Sequence, residues 1–272
     1  SKSGLMDLGN IETREFLTDF ISGKIIEFGL DCYRQDFNID PLEYWRRADA
    51  PDRQGITESK YIEGLYLFWD ELLRRHPHLL IDNCSSGGRR IDLETIGRSI
   101  PLWRTDFAVY SREKDNKEVA GQCHTYGLSF WVPLNASGGF VRINNYAFRS
   151  WMSSGLGIRL EGEGDAPQAV IPDDFPFDTL GKQVRQYKSI RKYYEGDYYP
   201  LTEYSQAEDA WMVYQFDRPD LNEGMIVALK RSNSPFPKAV FSLHGLNPDA
   251  EYQLTNLDDD SRTAVKGSLL LN

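Results

Sequence analysis

The chain has 272 residues, enough to bury a sizeable core, and its 40% hydrophobic and 26% charged fractions are those of a folded globular protein rather than a disordered one. A net charge of −10, with no long run of Lys and Arg to oppose it, argues against nucleic acid as a partner. No apolar stretch approaches the roughly 18 residues that cross a bilayer, so no membrane is expected either.

From Glu12 to Phe28 the apolar residues Phe16, Leu17, Phe20 and Ile21 fall at helical spacing and Gly29 follows, which predicts a helix. Leu30 to Phe37 then reads as a short strand, and its polar end Asp36-Phe37-Asn38 places a carboxylate where strand meets loop. The plan repeats. Ile56 to Arg75 is helical by its Ile62, Leu65, Tyr66, Phe68, Trp69, Leu72, Leu73 stripe, and Leu79 to Asn83 reads as a strand broken by Gly87-Gly88. A helix over Asp92 to Arg98 precedes a short strand, Pro101 to Asp106, which again ends in a carboxylate.

Further along, Leu128 to Pro133 is expected as a strand with loop, Val141 to Trp151 as loop and helix, Gly155-Leu156-Gly157 as a turn, and Gly181 to Tyr194 as a helix with a basic face. Beyond Tyr198 the character changes. Trp211–Phe216, Gly224–Leu229, Ala239–Leu243 and Tyr252–Leu254 read as short strands between turns. The expected organisation is α/β with parallel β/α units over residues 1–197, followed by a small antiparallel β-sandwich domain over 198–272. The Asp258-Asp259-Asp260 run reads as a solvated turn.

Cys32, Cys84 and Cys123 are an odd number at no metal-ligand spacing, which points to no disulfide framework and fits a reducing, cytoplasmic setting. His76, His78, His124 and His244 share no ligand spacing, so no metal and no cofactor are expected. Trp131 and Trp151 suit a sugar face and a core equally well.

A TIM barrel carries its catalytic groups at the C-terminal ends of its parallel strands, and Asp36 and Asp106 both occupy such ends. Two carboxylates facing one sugar are the minimal equipment for glycoside hydrolysis, one attacking the anomeric carbon and one protonating the leaving oxygen. Residues two apart on a strand share a face, so Arg34 can meet Asp36.

Three ordered motifs then resemble the melibiase-type α-galactosidases, the glycoside hydrolase group numbered thirty-six. Arg34-Gln35-Asp36-Phe37-Asn38 is similar to that family's Lys-Trp-Asp-x-Asn strand end, with Arg for Lys and Gln for Trp. Cys84-Ser85-Ser86-Gly87-Gly88-Arg89-Arg90 matches Cys-x-x-Gly-Gly-x-Arg, and Trp103-Arg104-Thr105-Asp106 matches Trp-x-Ser/Thr-Asp.

The resemblance implies the later strands of a TIM-type barrel and a retaining α-glycosidase acting on α-linked galactosides or related oligosaccharides. It implies Asp36 as nucleophile and Asp106 as acid/base, with Arg34, Asn38, Cys84, Gly87, Gly88, Arg90, Trp103 and Arg104 lining the substrate. The glycines are expected to let the sugar approach closely, and Asp92 is a decoy. Retention requires carboxyl groups about 5–5.5 Å apart.

The family's earlier strands and their adjacent acidic pair have no counterpart before Asp36. A fragment is therefore expected, its pocket completed by an N-terminal half or by a partner copy. The alternatives are an α-glycosidase of other specificity, such as an α-N-acetylgalactosaminidase, and a non-catalytic carbohydrate-binding remnant. A transglycosylase would use the same intermediate.

Overall fold

Asn10 starts the first helix in the computed structural model of the protein, its side chain taking the Thr13 amide, and Gly29 closes that helix in the left-handed conformation. The structure describes residues 4–107, 116–140, 143–158, 171 and 173–271, without the side chains of 138–140. Helix α1 (Ile11–Phe28) buries Thr18, Ser22 and Ile25 on the side that packs against α3 (Ile56–Arg75). Phe16 and Phe20 are exposed and stack on one another, whereas Leu17 and Ile21 are half-buried against the core, so the apolar spacing that predicts this helix marks its buried face only in part.

Strands β1 (Cys32–Asp36) and β2 (Leu80–Cys84) run parallel, pairing Arg34 with Asp82 and Asp36 with Cys84. Between β1 and α3 lies a short helix, α2 (Leu42–Ala48), which the sequence pattern does not announce. Tyr33, Phe37 and Ile81 belong to the core built on Leu65, Phe68, Trp69 and Leu72 of α3. The buried Trp69 indole donates to Gln35 Oε1 at 2.6 Å. Alternation along the strands therefore sends Arg34, Asp36, Asp82 and Cys84 to the opposite face.

After β2 comes α4 (Leu93–Ile96), capped by Asp92, whose carboxylate takes the Glu94 and Thr95 amides while Thr95 Oγ1 takes the Asp92 amide. Asp92 is thus occupied by its own helix. The strand expected over Pro101–Asp106 is reduced to an isolated bridge residue at Trp103. Ile100 bridges β2, donating to Ile81 O at 2.9 Å and accepting from the Asn83 amide at 3.2 Å, and the ladder stops there. Pro101 has no amide to continue it, and the Leu102 amide goes instead to the Asp82 side chain at 3.0 Å.

The chain divides into two compact units that meet in sequence at Asp106 and Phe107. In the second, α5 (Lys117–Leu128) begins at its Asn116 cap. Its end turns back, with the Trp131 and Val132 amides both on Leu128 O, so the strand expected over Leu128–Pro133 is absent. The strand is β3 (Ala136–Phe140) instead, and its parallel partner β4 (Gly155–Ile158) occupies the segment expected as a turn. Helix α6 (Asn145–Trp151) follows expectation, and residues 141–142 ahead of it lie outside the described residues.

Helix α7 (Phe177–Ile190) continues into a 3-10 turn, Arg191–Glu195. Strands β5 (Asp197–Pro200), β6 (Trp211–Arg218) and β7 (Glu223–Lys230) then form an antiparallel sheet in that order. A separate hairpin, β8 (Glu251–Thr255) with β9 (Arg262–Lys266), is followed by α8 (Gly267–Leu270), and Asp258–Asp260 form its turn.

The antiparallel part is thus one three-stranded sheet and one hairpin. Ala239–Leu243, expected as a strand, joins no ladder among the described residues: Val240 is 90% exposed, and although Leu243 is buried its amide goes to Leu270 O of the terminal helix at 2.7 Å. Phe148 and Trp151 of α6, Tyr187 and Ile190 of α7, and Met212, Tyr214 and Phe216 of β6 share one core. The change of character near residue 197 falls inside that core.

Candidate active site

A carboxylate at the end of a strand becomes a reagent only if its neighbours hold it ionised and still. Asp36 has such neighbours. Partial burial by itself raises its carboxyl, but hydrogen bonds from Asn38 and Cys84, the Arg34 charge and the Phe37 amide together outweigh burial and hold it below the ordinary carboxylate value. The Arg34 guanidinium lies 3.5 Å from Asp36 Oδ2 through Nη2, as the two-residue spacing predicts, and 2.5 Å from Asp82 Oδ2 through Nη1. Asn38 has its Oδ1 taken by the Ser86 amide at 3.0 Å and the Ser86 hydroxyl at 2.8 Å, which turns its amide nitrogen toward Asp36.

The loop that follows β2 connects these groups to Asp106. On one side Ser85 Oγ donates to Phe37 O at 3.0 Å and Ser86 grips Asn38. On the other, Gly87 and Gly88 lie against the backbone of residues 104–106. A Cβ on Gly87, which sits at φ 76°, would come within 2.7 Å of the Asp106 amide, and one on Gly88 within 2.5 Å of Arg104 O. These glycines therefore admit the protein's own chain at close range. Ser86 is itself left-handed at φ 46°, a conformation that costs a non-glycine residue about 1–2 kcal/mol. Asp106 is fixed from its own segment as well, by the Trp103 indole donating to its Oδ1 at 2.7 Å.

A model of the melibiase family matches residues 2–142, a stretch that contains all of these groups. The chain belongs to the melibiase family.

Alpha-galactosidase 1 of Pediococcus pentosaceus is 27% identical to it over 259 residues, 92% of this chain and 33% of the relative. Alpha-galactosidase AgaA of Geobacillus stearothermophilus is 25% identical over 266 residues, 93% of this chain and 34% of the relative. This melibiase-family chain thus spans about a third of the length of the curated relatives it matches.

Among solved structures, a variant of the GH36 alpha-galactosidase AgaA in complex with raffinose has a TM-score of 0.73 at 21% identity, covering 97% of this chain and 36% of that one. A variant in complex with 1-deoxygalactonojirimycin gives 0.73 at 22%, with the same coverage. At these identities the likeness is one of fold.

The residues that the family motifs single out are not placed alike. Arg34, Asp36, Asn38 and Cys84 come together on one face. Trp103 and Asp106 are joined across the glycine pair, whereas Arg104 is buried. Arg90 lies at the ends of the strands: Nε donates to Asn83 Oδ1 at 2.7 Å and Nη2 to Gln35 O and Cys84 O at 3.0 and 3.1 Å, with the guanidinium over the Phe37 and Trp69 rings. It ties the last residues of β1 to those of β2.

Sequence reasoning passes over Asp82, Ser85 and Ser86. For Asp82 a signal exists, since a carboxylate directly after the apolar run Leu79-Leu80-Ile81, two positions before Cys84 on the same strand, needs a buried partner. Among the described residues no group of three or more His, Cys, Asp or Glu could hold a metal ion, and the three cysteines are free.

Proposed function

We propose that this chain carries the catalytic carboxylates of a retaining α-galactosidase acting on terminal α-galactosyl residues, set on the later strands of a TIM-type barrel. What supports the reading most is the setting of Asp36: an ionised carboxylate at a parallel strand's C-terminal end, keyed through the Ser85–Gly88 loop to the segment bearing Asp106. In the first step Asp36 attacks the anomeric carbon while Asp106 gives its proton to the departing glycosidic oxygen, leaving a covalent glycosyl-enzyme. In the second, Asp106 takes a proton from water, whose oxygen attacks that carbon and frees Asp36, so the anomeric configuration is retained. Relatives' complexes with raffinose and stachyose support α-galactosides as the substrate class.

Since the chain spans about a third of its curated relatives, further groups of the pocket are proposed to come from a segment outside these 272 residues or from a partner chain. The test is release of p-nitrophenol from its α-galactoside by this chain beside a form extended at its N-terminus. Activity in the longer form, abolished by Asp36→Asn, is the expected result. An extended form inactive on α-galactosides but active on another α-glycoside would overturn the substrate, and one inactive on every α-glycoside would leave the binding-remnant reading.

A further inference from the structure

The strongest contact of Arg34 is not with the carboxylate beside which the family motif sets it. Asp82 lies 2.5 Å from one guanidinium nitrogen, whereas Asp36 lies 3.5 Å from the other. Asp82 is also 5% exposed, and its second oxygen takes the Leu102 amide at 3.0 Å, where the chain leaves β2 for Trp103 and Asp106. A planar guanidinium can span two carboxylates in this way, whereas the Lys of the family pattern presents a single point of charge.

We propose that Asp82 is a positioning residue for this site: one carboxylate oxygen sets the Arg34 guanidinium beside Asp36, and the other sets the start of the segment that bears Asp106. The inference rests on reading Asp36 as the nucleophile. Asp82 keeps Arg34 from closing fully on Asp36, so the attacking oxygen is held ionised without being capped by a tight ion pair.

Among the described residues, the charged and titratable groups around Asp36 include Asp106 across the Ser85–Gly88 loop. Arg34 comes from its own strand, Asp82 and Cys84 from β2, and Arg90 from the following loop, with Cys32 further back on β1 beside Asp82. Asp82→Asn is a selective probe, because its amide oxygen can still accept from Leu102 while its amide nitrogen cannot hold a guanidinium. It removes one anion and releases Arg34 toward Asp36. Both changes favour ionised Asp36, so its titration midpoint moves to lower pH.

The experiment is a carbon-13 carboxyl NMR titration of Asp36 in the 272-residue chain, which requires no turnover. Expected is a lower midpoint in Asp82→Asn and a midpoint near the unaltered one in Asp82→Glu, which keeps the charge. In the extended enzyme, the acid limb of kcat/KM moves the same way, with kcat down about 10-fold or more and KM little changed. An unmoved midpoint in folded Asp82→Asn overturns the proposal.

Should that variant not fold, nitrogen-15 NMR of the Arg34 guanidinium in the unaltered chain decides instead. Slowed rotation is expected from a group held at both ends, and free rotation overturns the proposal. Failure to release p-nitrophenol would count against the galactosidase reading and leave these results standing.

Discussion

Among the described residues the protein contains two parallel strand pairs, built on opposite plans. β1 and β2 alternate: Tyr33, Gln35 and Ile81 lie on the helix side, while Arg34, Asp36, Asp82 and Cys84 line the other face. β3 and β4 are small-residue strands, Ala136-Ser137-Gly138-Gly139-Phe140 and Gly155-Leu156-Gly157-Ile158, joined in a register that shifts between Ala136 and Gly139. A strand that positions reagents needs side chains on both faces, one set to anchor it and one to react. β3 and β4 instead meet through small residues, with Leu156 and Ile158 half-buried against the neighbouring core.

The largest effect that should separate the two pairs is on turnover. In the N-terminally extended enzyme, Asp36→Asn is expected to cut kcat by roughly four orders of magnitude or more, as loss of a nucleophile does. Asp106→Asn is expected to cost roughly 10²- to 10⁴-fold, the share of a general acid. Initial rates on an α-galactoside check both, and intact activity in either variant would remove the distinction.

Asp36→Asn carries a pH signature too. The folded carboxyl titrates below its unfolded value, so its stabilising share is present above the unfolded pKa and lost as pH falls through the folded one. The gap in thermal midpoint between wild type and Asp36→Asn should accordingly narrow on acidification below the ordinary carboxylate range.

Next in size is Gly87→Ala. A methyl group at φ 76°, 2.7 Å from the Asp106 amide, should destabilise the fold by at least about 1–2 kcal/mol and lower kcat by displacing Asp106. Urea unfolding and initial rates check the two parts. The smallest effect belongs to the other pair: Ser137 Oγ accepts the Gly157 amide at 3.0 Å, so Ser137→Ala should cost about 1 kcal/mol and leave the Asp36 titration unmoved.

The same contrast explains what could be read from the sequence. α3 is legible to its end residues because Tyr61, Leu65, Phe68, Trp69 and Leu72 recur at helical spacing on a buried face. β1 and its Asp36–Arg34 pairing follow from a period of two. β3 and β4 have no such period, and glycine and serine there suggest a turn to any propensity argument.

At 101–106 the decisive fact is tertiary, since the Leu102 amide is claimed by Asp82, 20 positions earlier. The part of the site that escapes the pattern is of this kind. Ser85 and Ser86 act by reaching Phe37 and Asn38 across the strand pair, and the glycines by admitting the backbone of residues 104–106.

One consequence of the Cys84–Gly88 loop concerns fluctuation. Asp36 and Asp106 are 70 positions apart in the chain, yet each rests on one or other flank of the same five residues. A displacement of that loop carries both carboxylates with it. A substitution within those five residues is therefore expected to disturb both carboxylates together.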